Sequence, residues 1–143
     1  TDGHIGLGAA VFYVTAFFGS TQLSRLVRKI GNQHVTAAGA ALMASYPAFM
    51  AAADGPTLFL VGSATGGLGW LLVNGALANY LLEKIPGDDR PAYLAWYNLA
   101  INAAVLLASL LGPVVGRYIG IPAALFLGGA LRLVMAIAIW RWE

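Results

Sequence analysis

The chain has 143 residues, of which 59% are hydrophobic and only 10% are charged, with a formal net charge of +2. A soluble domain of ordinary composition carries about a quarter charged residues, so an unusually apolar globular domain is the weaker alternative and a membrane protein in contact with the lipid bilayer is expected. The small, clustered charge argues for membrane topology and against a nucleic-acid partner. The absence of cysteine excludes disulfides and thiolate metal sites.

The chain opens with Thr-Asp-Gly-His and has neither an initiator methionine nor a basic region before its first apolar run. This opening is not typical of a signal peptide. We therefore expect the 143 residues to begin inside a longer polypeptide, through processing, truncation or incomplete definition.

Five segments are long and apolar enough to cross a membrane core, which needs about 20 residues per helix. They are residues 5–23, 35–53, 57–82, 93–115 and 121–140. The connections between them are short and contain Pro and Gly, as turns do. The sequence thus predicts an all-α membrane protein with five transmembrane helices in a single domain over residues 1–143.

The cations of the connections predict the orientation, because short loops rich in Lys and Arg remain cytoplasmic. If the five spans alternate in direction, one membrane side collects six cations and the other has only Arg117. The six are Arg25, Arg28, Lys29, Lys84, Arg90 and Arg141. We therefore expect a non-cytoplasmic N-terminus and a cytoplasmic C-terminus in a multi-pass integral membrane protein.

The connection between the first two spans has the pattern LSRLVRKIGNQHV. It resembles the cytoplasmic signature loop of the major facilitator superfamily, in which small residues and charges link the second and third helices of each six-helix half. Ser24 stands at the first small position and Arg25 follows it. Arg28 stands where the family has an acid, Lys29 at the base and Gly31 at the second glycine.

Three later stretches resemble the same family. GSATGGLGWLLVNGALANYLLEKIP, over residues 62–86, is similar to the glycine-rich fourth helix of a half, and PGDDRPAYLA and LGPVVG are similar to the start and end of the fifth. The arginine frequent in that fourth helix is absent, and Ser63 or Ala64 lies near its place. The resemblance implies a partial half-bundle of helices two to six. The absence of the acid from the loop favours the C-terminal half of the family fold.

The resemblance implies part of a transporter that moves a small solute. The missing helices of the same transporter would then be its partners. The alternative is a non-transporting accessory subunit that keeps the fold and docks to a larger membrane complex. No cofactor is implied. No carboxylate pair within a span and no nucleophile–base pattern supports an enzyme.

Four glycines are candidates for helix packing, because small residues at four-residue spacing let helix backbones approach closely in lipid. They are Gly62 and Gly66 in the third span and Gly112 and Gly116 in the fourth. In a transporter the same surfaces would slide during alternating access.

Three asparagines and one arginine are candidates for a substrate cavity. Asn74 lies in the third span, while Asn98 and Asn102 are four residues apart in the fourth and so share a helix face. Amides at membrane depth need partners, so these side chains contact either other helices or a solute. Arg132 is the charge inside the last span; it either serves function or extends to the cytoplasmic interface.

Overall fold

A computed structural model describes residues 2–142, which form four α-helices and a short 3₁₀ turn. Helix α1 spans Asp2–Ala51, α2 Pro56–Lys84, α3 Arg90–Ile119 and α4 Ile121–Arg141; the 3₁₀ turn, Gly87–Asp89, precedes α3. No strand occurs among these residues. All four helices have the length and apolar composition needed to cross a membrane, so the predicted all-α membrane class is confirmed.

The predicted count of five helices does not match the four helical elements, because the first two predicted spans are joined in one element, α1. This helix has 50 residues and would be about 75 Å long if straight, more than twice the thickness of a bilayer core. Gly31 interrupts it with φ 81° and ψ 162°. Only glycine adopts such a conformation readily, so the break takes one residue and no separate loop forms.

The first half of α1, residues 2–30, runs alongside α2 in the same direction. Near its start, Gly8 faces the ring of Phe59, and near its end, Leu23 contacts Gly75. Both pairs advance together along the two helices. The first half of α1 is therefore parallel to α2.

The second half of α1, residues 32–51, runs alongside α2 in the opposite direction. Gly39 lies against Val73, and ten residues later Phe49 and Met50 lie against Gly62. The partner on α2 moves backward as α1 advances. The chain therefore reverses at Gly31, and α1 is a helical hairpin whose two arms both pack on α2.

Small residues form the interior of the bundle that the two arms of α1 make with α2 and α4. The buried apolar residues are Val35, Ala37, Ala44, Ala76 and Ala136, and the buried polar ones are Asn32, Thr36 and Ser63. Lipid tails are as apolar as leucine, so close backbone contact, rather than burial of large side chains, holds membrane helices together. The composition of the core fits a bundle made to be surrounded by lipid.

Helix α4 packs against the second half of α1 and runs antiparallel to it. Gly129 lies 2.8 Å, measured from an ideal Cβ, from the carbonyl oxygen of Ala44. Toward the other end, Gln33 Nε2 donates to the carbonyl oxygen of Ile139 at 2.8 Å. These two contacts fix α4 on the side of α1 that α2 leaves open.

Helix α3 contributes no buried residue to the structure. It contacts α4, and Gly120, with a φ of 83° that suits glycine, connects the two helices. Most of its large apolar side chains are exposed; Trp96, for example, is 70% exposed. Nearly the whole surface of α3 is therefore left for lipid or for other helices.

Candidate functional site

A cavity of about 310 Å³ lies between the C-terminal half of α2 and the N-terminal half of α3. It brings Asn74 of α2 and Asn98 of α3 to one place. The remaining lining residues are Leu77, Ala78, Leu81, Leu82, Leu94 and Tyr97. Two of the four predicted cavity residues therefore line a common space, although 24 positions separate them in the chain.

The asparagine amides near this cavity are partly satisfied by their own helices. Asn74 Nδ2 donates to the carbonyl oxygen of Trp70 at 2.8 Å, and Asn102 Nδ2 donates to that of Asn98 at 2.7 Å. Each of these bonds uses one amide hydrogen. An asparagine amide has a second hydrogen and an acceptor oxygen, so these side chains retain capacity to bind a solute.

The cavity lies well inside α2 and α3, away from the ends of these helices that adjoin the 3₁₀ turn. Asn74 is ten residues before Lys84, the end of α2, and Asn98 is eight residues after Arg90, the start of α3. At 1.5 Å per residue these separations are about 15 and about 12 Å. Both separations are comparable with half the thickness of a bilayer core, about 15 Å.

None of the eight lining residues carries a charge. The cavity combines two amides and one phenol with a mainly aliphatic wall, and ligand pockets commonly consist of such an apolar surface with a few polar groups. A wall of this kind can hydrogen-bond a small uncharged solute. It lacks the countercharge that would offset the desolvation of an ion.

The family model of the Major Facilitator Superfamily matches residues 1–143, the entire chain. The chain belongs to this superfamily. No curated protein and no solved structure matches it. Membership together with four apolar helices makes the chain a multi-pass integral membrane protein that contacts the lipid bilayer. The family consists of transporters, which agrees with the expectation that the chain is not an enzyme.

The residues that resemble the superfamily signature loop lie at the reversal of α1. Ser24, Arg25, Arg28 and Lys29 are exposed in the last turns of the first arm, and Gly31 is the break itself. Arg25 Nη1 donates to Gln22 Oε1 at 3.3 Å. The loop is therefore helical up to its second glycine and carries its cations on an exposed surface.

The glycines singled out for packing have different surroundings. A Cβ on Gly62 would meet Met50 and Phe49, and one on Gly66 would meet the ring of Tyr46 at 2.8 Å. A Cβ on Gly112 would meet nothing within 4 Å, and one on Gly116 only Ile121, at 4.0 Å. Within residues 2–142, the glycines of α2 lie in a helix interface and those of α3 do not.

Arg132 and Asn102 do not line the α2–α3 cavity. Arg132 is exposed on α4, which packs against α1. Asn102 lies one turn beyond Asn98 on α3 and reaches it through the hydrogen bond given above. The structure thus groups the three asparagines near one another and leaves the arginine elsewhere.

Asn32 is a site residue that the sequence pattern does not reveal. It is 8% exposed, and its Nδ2 donates to Glu83 Oε1 at 2.7 Å. Its Oδ1 is buried without a hydrogen-bond partner. The residue lines a cleft of about 490 Å³ together with Asn79 and Arg90. Asn32 therefore ties the reversal of α1 to the end of α2.

Gln33 and His34 also have partners that the sequence does not indicate. Gln33 Nε2 donates to the carbonyl oxygens of Ile139 and Trp142. The His34 ring meets the Trp140 ring edge-on with centroids 4.6 Å apart. The reversal of α1 is attached to α4 as well as to α2.

Proposed function

We propose that the chain is one part of a major-facilitator transporter and that the α2–α3 cavity forms one wall of its solute site. The observation that carries this proposal is the convergence of Asn74 and Asn98 on a cavity with an uncharged lining. We infer a depth near the middle of the membrane from the distance between this cavity and the helix ends. Solutes of such transporters bind near the midplane between two halves. The chemistry of the wall favours a small uncharged solute with hydrogen-bonding groups.

The proposed membrane arrangement has five crossings, with α1 crossing twice. Its two arms, residues 2–30 and 32–51, run in opposite directions along α2, and each is long enough for a bilayer core. With this count, the positive-inside rule puts Gly31 and the C-terminal end of α4 in the cytoplasm. Among the halves of the family fold, helices eight to twelve fit the acid-free signature loop.

Cysteine labelling tests this arrangement, because the chain has no native cysteine. Lys29→Cys, Asp88→Cys and Gly55→Cys each place a thiol at an exposed residue. An impermeant maleimide should label the first two only from the cytoplasmic side and the third only from the opposite side. Labelling of Lys29→Cys and Gly55→Cys from one side would show that α1 does not cross twice.

Substitution of the two converging amides tests the solute site. In the transporter assembly extracted from its native membrane, Asn74→Leu and Asn98→Leu should each lower uptake of the transported solute about fivefold or more, since leaving a polar solute group without its hydrogen-bond partner costs about 1–3 kcal/mol. Uptake is measured in proteoliposomes over a panel of neutral and charged solutes.

Asn79→Leu is the matched control, because Asn79 is on the same helix but lines the other cleft. Assembly of each variant is checked by size-exclusion chromatography. Normal uptake by both Asn74→Leu and Asn98→Leu would remove the cavity from the transport path.

A non-transporting accessory subunit is the second candidate function, and the exposure of α3 favours it. A helix with no buried residue offers a long surface for another protein. Gly112 and Gly116, which contact little within the described chain, would then let a foreign helix approach closely. Purification of the native assembly discriminates the two, because a transporter should copurify with the remainder of a two-half fold.

A further inference from the structure

We propose that the chain binds an anionic phospholipid where the end of α4 meets the reversal of α1. A cavity of about 500 Å³ lies there, lined by Gln33 and His34 of α1 and by Trp140, Arg141 and Trp142 at the end of α4. The proposed ligand is a lipid with a net negative headgroup, such as phosphatidylglycerol, whose phosphate occupies the cavity.

The donors in this cavity suit a phosphate. Arg141 is exposed and carries a guanidinium, whose planar set of N–H groups matches phosphate oxygens. Trp140 and Trp142 are 50% and 68% exposed, and each indole has one N–H donor. None of the five lining residues is acidic, so the lining itself sets no carboxylate against the anion; Glu83 of α2 bonds to Asn32, beside Gln33.

Gln33 hydrogen-bonds to carbonyl groups at the end of α4 and so reduces the negative charge of this site. The last carbonyls of a helix have no partner within the helix and carry partial negative charge. Gln33 Nε2 donates to two of them, on Ile139 and Trp142. This contact lowers the repulsion that the end of α4 would otherwise exert on a phosphate.

The surrounding charge favours an anionic over a zwitterionic lipid. Arg28 and Lys29 are exposed a few residues before the cavity on α1. Residues 3–53 and 120–142, which include both lining segments, contain no Asp or Glu; the following residue, Glu143, lies outside the described part. No acidic residue within these two segments therefore neutralises their positive charge. Each cation near an anionic membrane surface contributes about 1 kcal/mol of attraction.

The position at the membrane edge favours a lipid over a free phosphate. Tryptophans concentrate at membrane interfaces, where the ring contacts acyl chains and the N–H reaches the headgroups. On α4 just before the cavity, Val134, Met135 and Ile137 are exposed and offer an apolar surface for acyl chains. In the orientation proposed above, this site faces the cytoplasmic leaflet.

Native mass spectrometry of the full chain in detergent tests the proposal. Phosphatidylglycerol is added to one sample and phosphatidylcholine with the same acyl chains to a second, and a third receives soluble glycerol phosphate. We expect bound phosphatidylglycerol to be retained in preference to phosphatidylcholine, with no stable adduct of glycerol phosphate. Equal retention of both lipids overturns the proposal, and glycerol phosphate binding as strong as that of phosphatidylglycerol reassigns the site to a soluble anion.

Two arginine variants locate the site. Arg141→Gln should weaken retention of phosphatidylglycerol about fivefold, the effect of losing one cation near the membrane surface. Arg117→Gln is the matched control, since Arg117 is an exposed arginine near the C-terminal end of α3 and does not line this cavity. Equal retention by the two variants contradicts the assignment. The comparison of the two lipids on the unaltered chain decides the question even if a variant folds poorly.

Discussion

Gly69→Leu should destabilise the packing of α1 against α2 by about 3 kcal/mol or more, the upper range for overpacking a tight interior. A Cβ on Gly69 would lie 2.8 Å from the backbone nitrogen of Met43 and 2.9 Å from the carbonyl oxygen of Gly39. Real Cβ contacts are almost never so short. Because these neighbours are backbone atoms, no change of rotamer relieves the clash and the two helices must separate.

Leucine at two other glycines should destabilise the protein less than Gly69→Leu does. Gly66→Leu meets a tyrosine ring rather than backbone, so the ring can shift and the loss should be smaller. A Cβ on Gly112 would meet nothing within 4 Å, so Gly112→Leu should leave the fold unchanged, and leucine also has the higher helix propensity. The midpoint of unfolding in detergent is measured for each variant by tryptophan fluorescence or circular dichroism.

The order of the three midpoints is the decisive result. Gly69→Leu should unfold first and Gly66→Leu second, with Gly112→Leu close to the unaltered chain. If Gly69→Leu is as stable as Gly112→Leu, α1 and α2 do not cross at these glycines. A large loss for Gly112→Leu only in the native assembly would instead reveal a helix from another chain packed on α3.

The helical segments could be predicted from sequence because hydropathy and length decide which residues enter a bilayer. The number of helices could not, since a single glycine at positive φ replaces the loop that the cations of residues 25–29 suggested. The sequence marks Gly31 as part of the turn. It does not show that hydrogen bonding continues almost up to that residue on both sides.

The candidate site could be predicted in part for a similar reason. Asn74 and Asn98 are polar residues within apolar spans, and this local feature identifies them without knowledge of the fold. Arg132 has the same local feature, yet it lies away from the cavity. Which face of α4 meets α1 depends on helix rotation, and neighbouring sequence does not determine it.

The roles of Asn32 and Gln33 depend on contacts over much longer distances in the chain. Asn32 bonds to a residue 51 positions away, and Gln33 bonds to carbonyls more than 100 positions away. Within the segment itself, both residues have the composition of an ordinary polar turn. Only the packed arrangement of α2 and α4 around the reversal shows that they join three helices.

Helix α3 has no buried residue and leaves polar side chains exposed. Asn98 and Asn102 are exposed on it, and the α2–α3 cavity has walls from only two helices. An amide group left without a partner in hydrocarbon costs about 1–3 kcal/mol. Additional helices that cover α3 would remove this cost and also enclose the cavity, so the same association would stabilise the protein and complete its proposed solute site.

The 143-residue chain, purified and reconstituted alone, should therefore show no solute flux above that of empty liposomes. Alternating access requires two structural units that move against each other around a central site, and here one wall of that site is open. Uptake is measured over the same solute panel as for the native assembly, and folding in the liposomes is verified by labelling Lys29→Cys and Gly55→Cys. Saturable, solute-specific uptake by the folded chain would mean that copies of this chain alone enclose the cavity, with α3 of one copy covering that of another. The absence of flux in a folded chain, together with activity of the native assembly, would place the missing wall on another polypeptide segment.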